Sequence, residues 1–293
     1  MMLHSDQITI SQEQVRSLIK AQFPQWSALP IAGAPVSGTD HAIFRLGDEL
    51  TIRLPLRPAA SGQVLKEQAW LPRIEPALTV PIPTPVAVGG PGAGYPLAWS
   101  ICKWLEGENP SAELGANALL GAQLGAFIST LRSVTLDGGP KPGEHNFGRG
   151  APLAIRDLAT RTAIDQLDGT IDTRKATAIW DSAIGTASRW KPAWIHGDLC
   201  PGNILVRGAE LSGILDFGGL AVGDPACDLM IAWNFLTDAA RDAFRQEVAV
   251  DVETWERGRA WALSVALIQL PYYGTSNLSL AATARSTIES VLT

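Results

Sequence analysis

The stretch Trp194-Ile195-His196-Gly197-Asp198-Leu199-Cys200-Pro201-Gly202-Asn203-Ile204-Leu205-Val206, followed shortly by Ile214-Leu215-Asp216-Phe217-Gly218, carries most of the information in this sequence. An apolar run delivers His196-Gly197-Asp198 to a loop that Pro201 and Gly202 shape. Asn203 stands where the chain re-enters an apolar strand. A turn at Gly208-Ala209 sends the chain back along a second strand that ends at Asp216. A hairpin of this kind brings Asn203 and Asp216 close together, beside the loop that carries Asp198.

Three oxygen-bearing side chains in this order suit phosphoryl transfer. A carboxylate orients an attacking hydroxyl and accepts its proton, while one neutral and one charged oxygen hold Mg²⁺ and leave positions for phosphate oxygens and water. Protein kinases use the same logic, with Asp and Asn five residues apart and a later Asp-Phe-Gly. A zinc site at His196 and Cys200 would want four ligands, and no paired cysteines or histidines supply them. No GxxxxGK[ST] motif is present, and the run Gly90 to Gly94 lacks the final glycine and following helix of a dinucleotide loop.

His196-Gly197-Asp198 with Asn203, Asp216-Phe217-Gly218 and then Gly223-Asp224-Pro225-Ala226-Cys227-Asp228-Leu229 resembles the aminoglycoside phosphotransferase and choline kinase superfamily. The resemblance implies an α+β, two-lobed, protein-kinase-like fold, with an antiparallel sheet in the first lobe and a larger helical second lobe. It implies Asp198 as catalytic base, Asn203 and Asp216 as magnesium ligands, and ATP or GTP as co-substrate. His196, Asp224 and Asp228 are then structural residues that brace the catalytic loop. In the first lobe, Ala34 to Asp40, with Ser37 and Gly38, is the candidate phosphate loop, although it departs from GxGxxG. Arg53 stands where a kinase places its strand lysine; its fork suits phosphate oxygens and a carboxylate, for which Glu67 is the best partner. The segment Ala98 to Trp104, with Ser100 and Cys102, would offer backbone groups to the base.

Texture along the chain agrees with this order. Short strands are expected at residues 31–34, 42–46, 49–54, 84–88 and 96–103, with Gly47-Asp48 and the glycines at 89–94 as hairpin turns. Helices are expected at 11–23 and 62–74, and then at 112–134, 153–167, 173–190, 227–236, 239–248, 253–270 and 279–292. An island of strands is expected at 194–196, 204–206 and 211–215. We therefore expect a nucleotide-binding lobe over 1–102 and a catalytic, acceptor-binding lobe over 103–293, with the ligand in a cleft between them.

The 293 residues are 46% hydrophobic and 18% charged, enough for a real core and against disorder. A net charge of -6 argues against a nucleic-acid partner, which needs clustered cations, and is compatible with a cationic acceptor. Three cysteines without a CxxC pair point to a reducing compartment. The opening residues have no basic or apolar signal region, so the cytoplasm and no membrane are expected. The resemblance implies an acceptor of aminoglycoside type. Choline, a sugar, an amino alcohol or a macrolide is the alternative, and a non-catalytic kinase-like binding protein is a further one. An acidic rim drawn from Asp224, Asp238 and Glu256 is expected beside the acceptor, and Trp233, Trp255, Trp261, Tyr272 and Tyr273 are candidates either for its site or for the core.

Overall fold

The computed structural model describes residues 7–33, 40–135, 137–185, 190–274 and 277–293. The candidate phosphate-loop residues Ser37 and Gly38 lie outside them. The chain divides into two compact units, residues 1–76 with 81–106, and residues 77–80 with 107–293.

In the first unit, α1 (Gln12–Gln22) opens on Ser11, whose hydroxyl accepts the Gln14 N–H. Its apolar stripe, Val15, Leu18 and Ile19, is buried against a five-stranded sheet. The strands are β1 (Ile31–Gly33), β2 (His41–Leu46), β3 (Leu50–Pro55), β4 (Pro85–Gly89) and β5 (Trp99–Lys103), in the order β1-β2-β3-β5-β4 and antiparallel throughout. Alternation along β2 and β3 sends Phe44, Leu46, Ile52 and Leu54 inward, where they meet Trp99, Ile101 and Tyr95. Helix α2 (Ser61–Ile74) carries Glu67 on its buried face.

The second unit is mainly helical, as the α+β reading requires. Its helices are α3 (Ala118–Ser133), α4 (Asp157–Gln166), α5 (Thr173–Gly185), α6 (Ile231–Asn234), α7 (Asp238–Val248), α8 (Val252–Tyr273) and α9 (Leu278–Leu292). Helix α3 packs on α7, and α8 packs on α9. Between α5 and α6 lie β6 (Ala193–Ile195), the hairpin β7 (Ile204–Arg207) with β8 (Glu210–Ile214), and β9 (Ala221–Gly223), which pairs with β6.

Some expectations differ from the structure. The stretch 153–167 begins as a 3-10 turn and becomes α-helical only at Asp157, and 227–236 is a 3-10 run, Pro225–Met230, followed by the short α6. In the second case Pro225 and the Asp224 cap start the coil tightly. The pairing strand β9 has too few residues to show a period. Trp233, Trp255 and Trp261 are all buried, with Trp233 and Trp255 ring centroids 4.8 Å apart, so they are core residues; Tyr272 is exposed. Asp224 is fully buried and cannot belong to an acidic rim; Glu256 lies 3.7 Å from Arg259. The described residues contain no helix long and apolar enough to cross a membrane.

Candidate active site

Strand β6 ends at Ile195, and the next residue, His196, is completely buried. Its Nδ1 accepts the Asp198 N–H at 3.2 Å, so its Nε2 must carry the proton that it donates to the Leu215 carbonyl at 2.8 Å. The imidazole is thereby neutral and in one tautomer, and it ties the loop at Asp198 to the strand end before Asp216. Phe217 packs on the same ring, with centroids 4.7 Å apart.

Asp228 holds the loop from the other side. Its two carboxylate oxygens each accept one backbone N–H, from His196 and from Gly197, both at 2.7 Å. Burial pushes the Asp228 carboxyl above its usual range, opposed by these two N–H donors and by the Arg149 charge. Gly197 has φ of +85°, and a Cβ there would stand 2.4 Å from the Gly219 carbonyl oxygen; a Cβ on Gly219 would meet the His196 carbonyl at 2.7 Å. The chain on either side of the site passes glycine against glycine, which no larger residue permits. Asp224 caps the 3-10 run through the Ala226 N–H and makes a buried two-point ion pair with Arg257, at 2.9 and 3.2 Å.

This scaffold presents Asp198 with its side chain 54% exposed. The Nδ2 of Asn203 donates to the Asp198 carbonyl at 2.9 Å, which leaves the amide oxygen as the group able to face a cation. The Leu215 N–H donates to the Asn203 carbonyl at 2.8 Å, so the residue after Leu215, Asp216, begins beside Asn203. Asp216 adopts a left-handed backbone, φ 58° and ψ 74°, a region that aspartate tolerates, and accepts the Gly218 N–H. Cys200 lies among these groups: burial and the charges of Asp198 and Asp216 push its thiol up to about 12. The described residues contain no cluster of three or more His, Cys, Asp or Glu side chains suited to a metal. One amide oxygen and one carboxylate fit Mg²⁺, which keeps waters and takes its remaining oxygens from phosphates.

Three contributors escaped the sequence reading. Arg149 places its Nη2 3.5 Å from the Asp198 carboxylate and its Nη1 3.4 Å from the Met230 sulfur. Asn146, in the same loop, donates to the Arg149 and Gly219 carbonyls and so ties that loop to the Asp-Phe-Gly turn. Asn109 shares its Nδ2 among the carbonyls of Pro201, Gly202 and Ile204. None of these residues has a fixed sequence spacing to Asp198, so no motif signals them. The concavities of about 360 Å³ beside α9 and about 640 Å³ beside Arg132 and Asp251 contain none of the site residues.

In the first unit, Arg53 on β3 and Glu67 on α2 form a buried ion pair at 2.6 Å. Ser100 is the cross-strand partner of Arg53, and Cys102 is that of Thr51. Burial raises the Cys102 thiol, with Arg53 opposing and Glu67 adding to the shift. Both residues are buried in a strand paired on each flank, and the N–H groups of Lys103 and Trp104 donate to Thr84 and Glu49. The backbone around Ser100 and Cys102 is therefore largely engaged in the sheet.

A model of the phosphotransferase enzyme family matches residues 33–261, the segment that contains all these groups. The chain belongs to this family. Among solved structures, the GDP and kanamycin complex of APH(2")-IIia is 19% identical and covers 96% of this chain and 98% of its own, with a TM-score of 0.76. The streptomycin-ATP-APH(2")-IIa ternary complex is 17% identical, covers 89% and 90%, and gives 0.62. The apoenzyme of macrolide 2'-phosphotransferase MphH from Brachybacterium faecium is 19% identical, covers 89% and 92%, and gives 0.59. At these identities the structures establish a shared fold for this phosphotransferase. A comparison with curated protein sequences finds no match.

Proposed function

We propose that this phosphotransferase is a small-molecule kinase of the aminoglycoside phosphotransferase type, which moves the terminal phosphoryl group of ATP or GTP to an acceptor hydroxyl. The observation that carries this is the convergence of Asp198, Asn203 and Asp216 on one loop and hairpin, with Asp198 exposed and everything around it tied down. The acceptor hydroxyl donates to Asp198, which takes its proton as the new P–O bond forms and the bond to the departing nucleoside diphosphate breaks. Asn203 and Asp216 would hold magnesium, which when bound supplies charge neutralisation for the phosphates. Arg53, fixed by Glu67, is the phosphate cation contributed by the first unit, with Ser100 and Cys102 beside the base. His196, Asp224 and Asp228 keep the loop in shape. The complexes of the fold relatives hold guanine and adenine nucleotides with kanamycin or streptomycin, and one relative acts on macrolides, so the family machinery serves more than one acceptor class.

The test is phosphoryl transfer from ATP and from GTP with magnesium across a panel of hydroxyl compounds, followed by mass spectrometry. Asp198→Asn should lower the rate by about 100-fold or more for every acceptor, the usual worth of a positioned base. Full activity in that variant would refute the mechanism.

A further inference from the structure

The loop from Gly143 to Gly150 holds a backbone that one of its residues resists. Phe147, Gly148 and Gly150 all have positive φ, at 55°, 67° and 78°. Glycine takes this region freely, but phenylalanine enters it only at a cost. The Phe147 side chain is exposed, so burial of its ring does not offset that cost. The conformation is imposed by bonds made elsewhere in the loop.

Asn146 makes them. It is 2% exposed, and both ends of its amide are engaged. Its Oδ1 accepts the Gly143 N–H at 3.0 Å, and its Nδ2 donates to the carbonyls of Arg149 at 2.9 Å and Gly219 at 3.2 Å. Its own carbonyl accepts the Arg149 N–H at 3.0 Å. Asn146 therefore grips Arg149 at both backbone polar groups, and from there the guanidinium reaches the Asp198 carboxylate at 3.5 Å. The bond to Gly219 closes on the turn that opens at Asp216. The Gly219 carbonyl is also the group against which Gly197, the residue before Asp198, is packed.

We propose that Asn146 is a positioning residue that sets the base and the metal-bearing turn as one unit, through Arg149 on one side and Gly219 on the other. The inference rests on the reading of Asp198 as base and Asp216 as magnesium ligand, and adds a residue that acts through others. A neutral amide suits the task. Its two N–H groups serve two carbonyls at once, whereas aspartate, of the same shape, has an acceptor for Gly143 but no N–H for the other two.

Asn146→Asp is therefore the discriminating change. The first readout needs no turnover: the magnesium dependence of binding of a non-hydrolysable ATP analogue, measured by calorimetry on the full-length protein. Asn146→Asp should raise the magnesium requirement about 5-fold or more, the scale of one lost hydrogen bond. The second is transfer from ATP to the best acceptor of the panel at saturating magnesium. There kcat should fall about 10- to 100-fold with the KM for nucleotide little changed. In an Arg149→Met background the same change should cost less than it does alone, because the two act through one contact. Asn146→Ser, which keeps one donor, should lie between Asn146→Asp and the native protein.

A folded Asn146→Asp with native kcat and a native magnesium requirement would overturn the proposal. So would a loss of kcat with the magnesium requirement unchanged, or one that multiplies in full with Arg149→Met. A loss that merely follows the folded fraction seen by circular dichroism would reduce Asn146 to a structural residue and overturn it as well. Transfer that survives Asp198→Asn would instead overturn the reading of the base, while the magnesium titration would still test the tie to the metal-bearing turn.

Discussion

Arg149 reaches the Asp198 carboxylate at 3.5 Å, and its removal should be visible in kinetics before it is visible in stability. Arg149→Met frees a half-exposed carboxylate to sample other rotamers, and we expect kcat to fall about 10- to 100-fold with the KM for nucleotide little changed, the scale on which small misplacements act. Steady-state kinetics with both substrates varied would check this, and Arg149→Lys should recover part of the loss. His196→Ala, by contrast, deletes a buried donor and a buried acceptor together. It should lower stability by about 3 kcal/mol in denaturant titration. The placement of Asp198, Asn203 and Asp216 on one loop and hairpin was legible in the sequence because turn residues and strand runs fix their spacing. Arg53 and Glu67 were legible as a strand cation and a helix acid, and the two are indeed in contact. Arg149 was not, because it reaches Asp198 from a distant loop whose spacing carries no period.

At the level of elements, stability hinges on how α8 is tied at its start. Asp251 caps the helix by accepting the Thr254 N–H, and that bond lowers its carboxyl below the usual value. A depressed carboxyl stabilises the fold above its unfolded pKa and loses that contribution as pH falls through the folded value. Asp251→Ala should therefore cost about 1 kcal/mol at neutral pH, with the difference from the native protein shrinking as pH falls through the lowered folded value. Melting curves across pH would read this directly. One turn further on, Arg257→Met strands the Asp224 charge in the interior and should cost about 3–5 kcal/mol, most of which a second change, Asp224→Leu, should restore. The long amphipathic helices and the β2–β3 hairpin could be read from period and turn residues. The β6–β9 pair could not, because strands of three residues have no period to detect and their pairing is imposed by the glycine contact beside them.

For the molecule as a whole, ligand linkage offers a check that needs no acceptor. Magnesium with a non-hydrolysable nucleotide at about 100 times its Kd should stabilise the protein by about 2.7 kcal/mol. The magnesium-dependent part of that gain should disappear in Asp216→Ala. An α+β chain with its sheet first and its helices after was legible from texture alone, and the same order persists in a relative only 19% identical. Fold here depends on apolar pattern, which many sequences satisfy, whereas the loop geometry depends on a handful of positions. Gly197 and Gly219 are the most restrictive of these, since a Cβ on either would run into the backbone beside the other. In a saturation library selected for activity, both codons should return glycine alone, even where the neighbouring surface drifts freely. Evolution of new specificities in this scaffold must then proceed around that fixed pair and never through it.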